Sequence, residues 1–274
     1  MMNPDVVVIQ FPGVNCEYET VRALEAVGLS GRIVRWNATG GVLKNAVAVI
    51  LPGGFSYQDR IRAGVVAAKD RIMDDVLDAA ARGVPVLGIC NGAQVLVEAG
   101  AVPGFTPGSI DLALAPNRMP DRTGYYCNWI RLKRGEATCV FTEFLKDAVE
   151  DSGTLPVPMA HAEGRFVTAS ADGDRRLRAG EGVALYYASA DGSAPAVFPD
   201  NPNGSSYAIA GITNPDGNVL AMMPHPERAS WMYQVPRGVG GAWGRARASV
   251  RRAGLYDPGP GRGFFESLRK GLGR

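Results

Sequence analysis

The sequence predicts an α/β protein: an open, mostly parallel sheet with helices on both faces, to which the C-terminal half adds further strands. In the first third of the chain, short β-branched runs alternate with longer amphipathic segments, the pattern of consecutive βαβ units. From about Pro103 the texture changes to loops rich in Pro, Gly, Asp and Arg, interrupted by strand-like runs. An apolar fraction of 46% and a charged fraction of 20% over 274 residues supply ample core material, so neither disorder nor a membrane span is expected.

The runs Val6–Gln10, Gly31–Trp36, Val47–Leu51 and Val84–Ile89 read as buried strands. Between them Val21, Leu24 and Val27 recur at helical spacing, as do Val65, Ile72, Val76 and Ala79. Later strands are expected at Tyr126–Leu132, Val183–Ala188, Tyr207–Thr213 and Val219–Met223. Past Trp231 the chain turns Gly- and Arg-rich, and Gly238–Gly241 and Gly259–Gly261 flank a candidate helix at Trp243–Ala253. This divides the chain into a main domain over 1–231 and an appendage over 232–274, read as weakly packed and available as a docking tail.

Lys and Arg number 29 against 27 Asp and Glu, a balance that gives no reason to expect nucleic acid or an anionic membrane as partner. Four cysteines without a CxxC pair and two histidines form no evident zinc site, so no metal is expected and the thiols read as reduced. The opening Met-Met-Asn-Pro-Asp carries no basic n-region, and a cytoplasmic location is expected. The sequons at Asn37-Ala38-Thr39 and Asn203-Gly204-Ser205 then carry no glycosylation meaning.

The segment from Val84 to Glu98 reads as buried strand, tight turn and helix, with Cys90 at the turn. Gly88 and Gly92 flank it and allow backbones to pass closely. This elbow lifts one side chain to the carboxyl edge of the sheet, where open α/β sheets place ligands. A cysteine there sits among unpaired N–H groups whose partial positive charge favours a nucleophilic thiolate. The competing reading is a buried cysteine acting as a small hydrophobe.

At the other end, the apolar run Val219–Met223 leads into Pro224-His225-Pro226-Glu227. In an extended segment residues two apart face the same side, so Glu227 can orient His225 as a carboxylate orients a catalytic imidazole. His161-Ala162-Glu163 repeats the spacing, so spacing alone does not choose the base. His225 is favoured because it terminates a strand and can reach the same edge as Cys90.

Thiolate attack on an amide creates an oxyanion that needs pre-aimed N–H donors, each worth about 2.7–4 kcal/mol in the transition state. Gly53 and Gly54, after the strand at Val49–Leu51, and the amide of Asn91 are the candidates. An ordinary strand-ending turn is the alternative for the glycine pair.

Together these stretches resemble the glutaminase subunits of phosphoribosylformylglycinamidine synthases, which are class I, triad-type glutamine amidotransferases. The residues that carry the resemblance are Phe11–Glu17, Leu51–Tyr57, Gly88–Gly92, His161–Phe166 and Met223–Arg228, and it spans residues 5 to about 230. It implies a flavodoxin-like sheet and a triad in which Cys90 forms a glutamyl thioester, His225 shuttles protons and Glu227 orients it. It implies that Gln94 helps hold glutamine, and it leaves His161 and Glu163 outside the triad, toward a subunit interface. The family passes ammonia to a separate synthase that uses ATP, magnesium and formylglycinamide ribonucleotide, often with a small third subunit, so no cofactor is expected in this chain.

Gln58 departs from the family pattern, standing where glycine is usual, and Asn117–Trp129 fits it loosely. The tail beyond 231 has no recognised counterpart in the short subunits. Other readings are an amidotransferase serving another acceptor, an elbow-cysteine peptidase or stress protein on a related sheet, or a binding subunit without chemistry. In the peptidase families histidine commonly follows the cysteine, whereas Asn91 stands here.

Overall fold

The computed structural model describes residues 6–38, 41–147, 152–195 and 197–274. The segment Met1–Asp5 and Thr39 of the first sequon lie outside them. In chain order the elements begin β1 (Val6–Gln10), α1 (Glu17–Glu25), β2 (Gly31–Arg35), β3 (Ala48–Leu51), α2 (Ile72–Ala81), β4 (Val86–Ile89) and α3 (Asn91–Glu98). Then come β5 (Ala113–Pro116), β6 (Tyr126–Arg134), β7 (Leu155–His161), β8 (Glu163–Val167), α4 (Ala171–Arg178), β9 (Val183–Ala188), β10 (Ile209–Thr213) and β11 (Val219–Met222). The chain closes with α5 (Gly241–Ser249) and α6 (Arg262–Gly271). None of the helices described is long and apolar enough to cross a membrane.

Among the described residues, the main sheet has nine strands in the order β2-β1-β3-β4-β11-β10-β9-β6-β7, and β5 and β8 form a separate pair. The first five strands in that order run parallel, and the remaining neighbours pair antiparallel. β1, β3, β4 and β11 are buried almost without interruption, as continuous apolar runs must be when both faces are covered.

The boundaries differ from the sequence reading for local reasons. Pro85 lacks an N–H, and β4 begins one residue after it. Tyr207 and Ala208 adopt positive φ, so β10 starts at Ile209. Val65 lies in a turned segment ahead of α2, which takes only the later part of the predicted helical pattern. β7 carries Pro156 and Pro158, which hid it from a strand search; its place at the sheet edge is where missing N–H groups are tolerated.

Residues 236–258 are largely exposed, but the end of the chain departs from the expected weakly packed tail. α6 inserts Phe264, Phe265 and Leu268, each 0% exposed, into the same hydrophobic core as the sheet. Phe264 meets Phe144 edge-on at 4.9 Å between centroids. Gly259 and Gly261 N–H groups donate to the carbonyls of Ser230 and Ala229, which ties this segment back to the strand exit that carries His225. The apolar period of α6 was present in the sequence, but glycines on either side disguised it as loop.

Candidate active site

The register of three neighbouring parallel strands builds the site. β3 pairs Leu51 with Gly88 of β4, and β4 pairs Ile89 with Met222 of β11. Gly53-Gly54, Cys90 and His225 therefore leave one edge of the sheet side by side.

Cys90 is the residue before α3 and adopts φ 50°, a conformation that costs a non-glycine residue energy and marks a strained elbow. Its N–H donates to the Met222 carbonyl at 2.8 Å and its thiol to the Ala160 carbonyl at 3.6 Å. The glycines around it are obligatory. A Cβ on Gly92 would lie 1.9 Å from the Leu51 carbonyl oxygen, and one on Gly88 would lie 2.6 Å from the Gly92 carbonyl oxygen. The close passage expected of these two positions is what the fold uses.

His225 and Glu227 are 2% and 0% exposed, and Nδ1 of His225 lies 2.5 Å from Oε1 of Glu227. The backbone N–H of His225 donates to the Pro158 carbonyl at 2.8 Å, so the edge strand β7 reaches the strand exit and fixes the backbone of His225. With Nδ1 engaged, Nε2 is the ring nitrogen left for Cys90, with which His225 shares a small cavity also lined by Asn15, Cys16, Gly54, Phe55, Tyr125, Ala160 and Arg228. Burial opposes charging of the imidazole, but the Glu227 carboxylate, the Cys90 sulfur and Cys16 outweigh it and hold His225 well above the ordinary histidine range. The site is thus arranged to keep a proton on this ring.

His161 has the opposite character. It is fully buried, its Nδ1 lies 3.1 Å from Oδ1 of Asn117, and burial, followed by repulsion from His225, pushes it down to about 3. It does not sit at an outer surface; it packs against Gly164, where a Cβ would come within 2.1 Å of its ring. The geometry separates the two His-x-Glu repeats, because in the second the imidazole bonds an amide and Glu163 turns elsewhere. Glu163 instead accepts the Ala63 N–H at 3.2 Å through Oε2.

A second lobe opens on the other side of Cys90, lined by Gly54, Phe55, Asp59, Ala63, Gln94, Ala160, His161, Ala162 and Glu163. Gln94 donates to the Glu163 carbonyl at 2.5 Å and accepts from the Asn91 side chain at 2.9 Å. Asn91 also accepts the Ser56 N–H at 3.1 Å, so α3 and the loop after β3 are cross-braced. That loop is strained: Tyr57, Gln58, Asp59 and Ile61 all have positive φ. Gln58, where the family pattern calls for glycine, has φ 60°, a value glycine adopts at lower cost. Burial first, and the neighbouring Glu163 second, raise Asp59 to about 6.

The oxyanion candidates divide. Gly54 lines both lobes beside Cys90, and Asn91 opens α3, where an N–H has no intrahelical acceptor. Gly53 acts as a platform: its carbonyl accepts the Asn15 and Cys16 N–H groups, and a Cβ there would lie 2.6 Å from Cε1 of His225. Cys16, Asp59 and Arg228 line these cavities without having been expected from the sequence, although Cys16 lies in the Phe11–Glu17 stretch and Arg228 in Met223–Arg228.

Cys16, His225 and Glu227 bring one donor atom each within 4.8 Å of one another. Within this cluster Nδ1 of His225 and Oε1 of Glu227 are joined at 2.5 Å.

Residues 3–251 match the family model described as a CobB/CobQ-like glutamine amidotransferase domain. A phosphoribosylformylglycinamidine synthase subunit PurQ from Methanothrix thermoacetophila is 42% identical, with 97% of each chain covered. The subunit of the same name from Pyrococcus furiosus is 40% identical over 82% of this chain and 89% of its own. Among solved structures, PurLQS from Thermotoga maritima covers 99% of this chain and 100% of the matched one, with a TM-score of 0.69 and 32% identity. The extent of the Methanothrix match carries the likeness into the segment beyond residue 231, which therefore does have a counterpart.

Proposed function

Because this chain belongs to the CobB/CobQ-like glutamine amidotransferase family, we propose that it hydrolyses glutamine to glutamate and ammonia as the glutaminase subunit of a phosphoribosylformylglycinamidine synthase. The observation that carries this reading is the strained Cys90 facing the cavity it shares with the Glu227-bound imidazole of His225.

Glutamine enters with its side chain toward Cys90 and its α-ammonium toward Asp59 and Glu163, two carboxylates whose mutual repulsion a cation relieves. The Cys90 thiolate attacks the carboxamide carbon, and the N–H groups of Gly54 and Asn91 receive the oxyanion. As the C–N bond breaks, His225 passes its proton to the departing nitrogen, leaving ammonia and a glutamyl thioester on Cys90. His225 then takes a proton from water as it attacks the thioester, releasing glutamate and the thiolate. Glu227 stays paired with the ring through both steps, and Gln94 braces the substrate lobe through Glu163.

The ammonia goes to a synthase subunit of the PurL kind, which converts formylglycinamide ribonucleotide to formylglycinamidine ribonucleotide in purine biosynthesis. In our reading the assembly works in the cytoplasm, ATP and magnesium act on the synthase, a small third subunit completes the complex, and this chain needs no cofactor. We keep residues 1–231 as the amidotransferase domain and 232–274 as its appendage, anchored by α6. The test is Cys90→Ala in the complex with the synthase. Glutamine-dependent synthesis should vanish while synthesis from added ammonium salt persists, and retained glutaminase activity would refute the assignment.

A further inference from the structure

Cys16 is a second buried thiol in this site, 1% exposed, and the triad gives it no task. It lines the same cavity as Cys90 and His225. Its thiol donates to Oδ1 of Asn15 at 3.3 Å, and its sulfur accepts from Nη2 of Arg228 at 3.2 Å. Arg228 is fixed in turn by Glu19 of α1, whose Oε2 accepts its Nε–H at 3.0 Å. The sulfur lies within 4.8 Å of donor atoms of both His225 and Glu227. Gly53 packs beneath both groups, since a Cβ there would come within 3.2 Å of the Cys16 sulfur and 3.3 Å of Nδ1 of His225.

A histidine held only by one carboxylate can still pivot about its ring bond, and a shift of about 1 Å at the reacting nitrogen costs on the order of 100-fold in rate. We propose that Cys16 is a positioning residue for the glutaminase reaction: its sulfur, gripped by Arg228 and Asn15, flanks the His225 ring and holds the imidazole between Glu227 and Cys90. The inference rests on the reading of His225 as the proton carrier. A large polarisable sulfur suits the place, because it fills the gap beside the ring and accepts weakly from a cation without taking the proton His225 needs. Burial raises the Cys16 thiol, which keeps it neutral.

Cys16 also separates two cations, the Arg228 guanidinium and the His225 imidazolium. The titratable and charged groups around His225 are Glu227, Cys90 and Cys16, with Tyr125, Arg228 and His161 beyond them. Removing the sulfur strips one support from the imidazolium, so the alkaline limb of the rate profile, where His225 loses its proton, moves to lower pH.

The experiment compares wild type, Cys16→Ala and Cys16→Ser in the complex with the synthase, measuring glutaminase kcat and KM across pH and the labelling of Cys90 by a diazoketone analogue of glutamine. Cys16→Ala should lower kcat roughly 10- to 100-fold with KM within about threefold, shift the alkaline limb down and slow labelling. Cys16→Ser should recover kcat to within about threefold of wild type, because its hydroxyl again accepts from Arg228. Should the alanine variant fail to fold, Arg228→Gln, which leaves the thiol but releases its grip, carries the same expected loss of kcat and slower labelling, without the downward shift of the alkaline limb, because it removes a cation near the imidazolium. Wild-type kcat with an unmoved pH profile in Cys16→Ala, wild-type kcat in Arg228→Gln, or an effect confined to KM, overturns the inference. Activity surviving in Cys90→Ala sinks the triad reading itself, whereas an inactive Cys90→Ala beside an unaffected Cys16→Ala sinks only the role given to Cys16.

Discussion

Ile89 of β4 pairs with Met222 of β11 in parallel register, and this one pairing sets Cys90 and His225 at the same edge of the sheet. Both strands are buried on both faces, and the close passage of Gly92 over the Leu51 carbonyl fits only one alignment, so tight packing holds Cys90 and His225 near each other.

The two histidines should behave very differently when removed. His225→Ala is expected to lower glutaminase kcat by at least about 100-fold, because it deletes proton transfer in both half-reactions. His161→Asn, which keeps a polar partner for Asn117, should retain kcat within about tenfold, since a ring pushed down to about 3 carries no exchangeable charge at neutral pH. Steady-state glutaminase assays decide this, and the reverse ranking would transfer the base to His161.

Substrate binding should weaken in acid. Asp59 is raised to about 6 from the ordinary aspartate range, so its carboxylate is lost as pH falls through about 6, and the partner of the glutamine α-ammonium goes with it. KM for glutamine is therefore expected to rise as pH drops from 7 to 5, and Asp59→Asn should raise KM at pH 7.5 and flatten that dependence. A KM that is independent of pH in both proteins would dismiss Asp59 as the ammonium site. The same shift has a stability counterpart. A folded-state value above the unfolded one favours the fold most below the unfolded value, and that contribution is lost as pH rises through about 6.

Gly92→Ala tests the elbow by sterics alone. Its Cβ would meet the Leu51 carbonyl at 1.9 Å, and the clash is with backbone that cannot rotate away. Overpacking of this kind costs about 1–3 kcal/mol, and the upper end is expected here. Urea unfolding monitored by circular dichroism measures it, and an unchanged midpoint would contradict the close packing of α3 on β3.

Phe264→Ala probes the segment after residue 231. A fully buried phenylalanine truncated to alanine costs about 3–5 kcal/mol, whereas a loose docking tail would lose almost nothing. Thermal unfolding in a single shifted transition is the expected result, because α6 shares the core of the sheet.

The residue pattern by itself determined the early strands, the elbow at Cys90, the glycines that let α3 pack against β3 and β4, and the Pro-His-Pro-Glu exit from β11. Each depends on local chemistry: β-branched runs, the missing Cβ of glycine, or the two-residue period that places Glu227 beside His225. The residue pattern also favoured His225 over His161 through its place at a strand end, but the tertiary structure supplied the contrast between them, because burial and a bound amide disarm His161 while Glu227 and two sulfurs favour a proton on His225. The tertiary structure also brought Cys16, Asp59 and Arg228 into the cavities beside Cys90, drew the proline-bearing β7 over His225 and packed α6 into the core. These relations join residues far apart in the chain, and long-range packing, which no local spacing records, sets the distances between them.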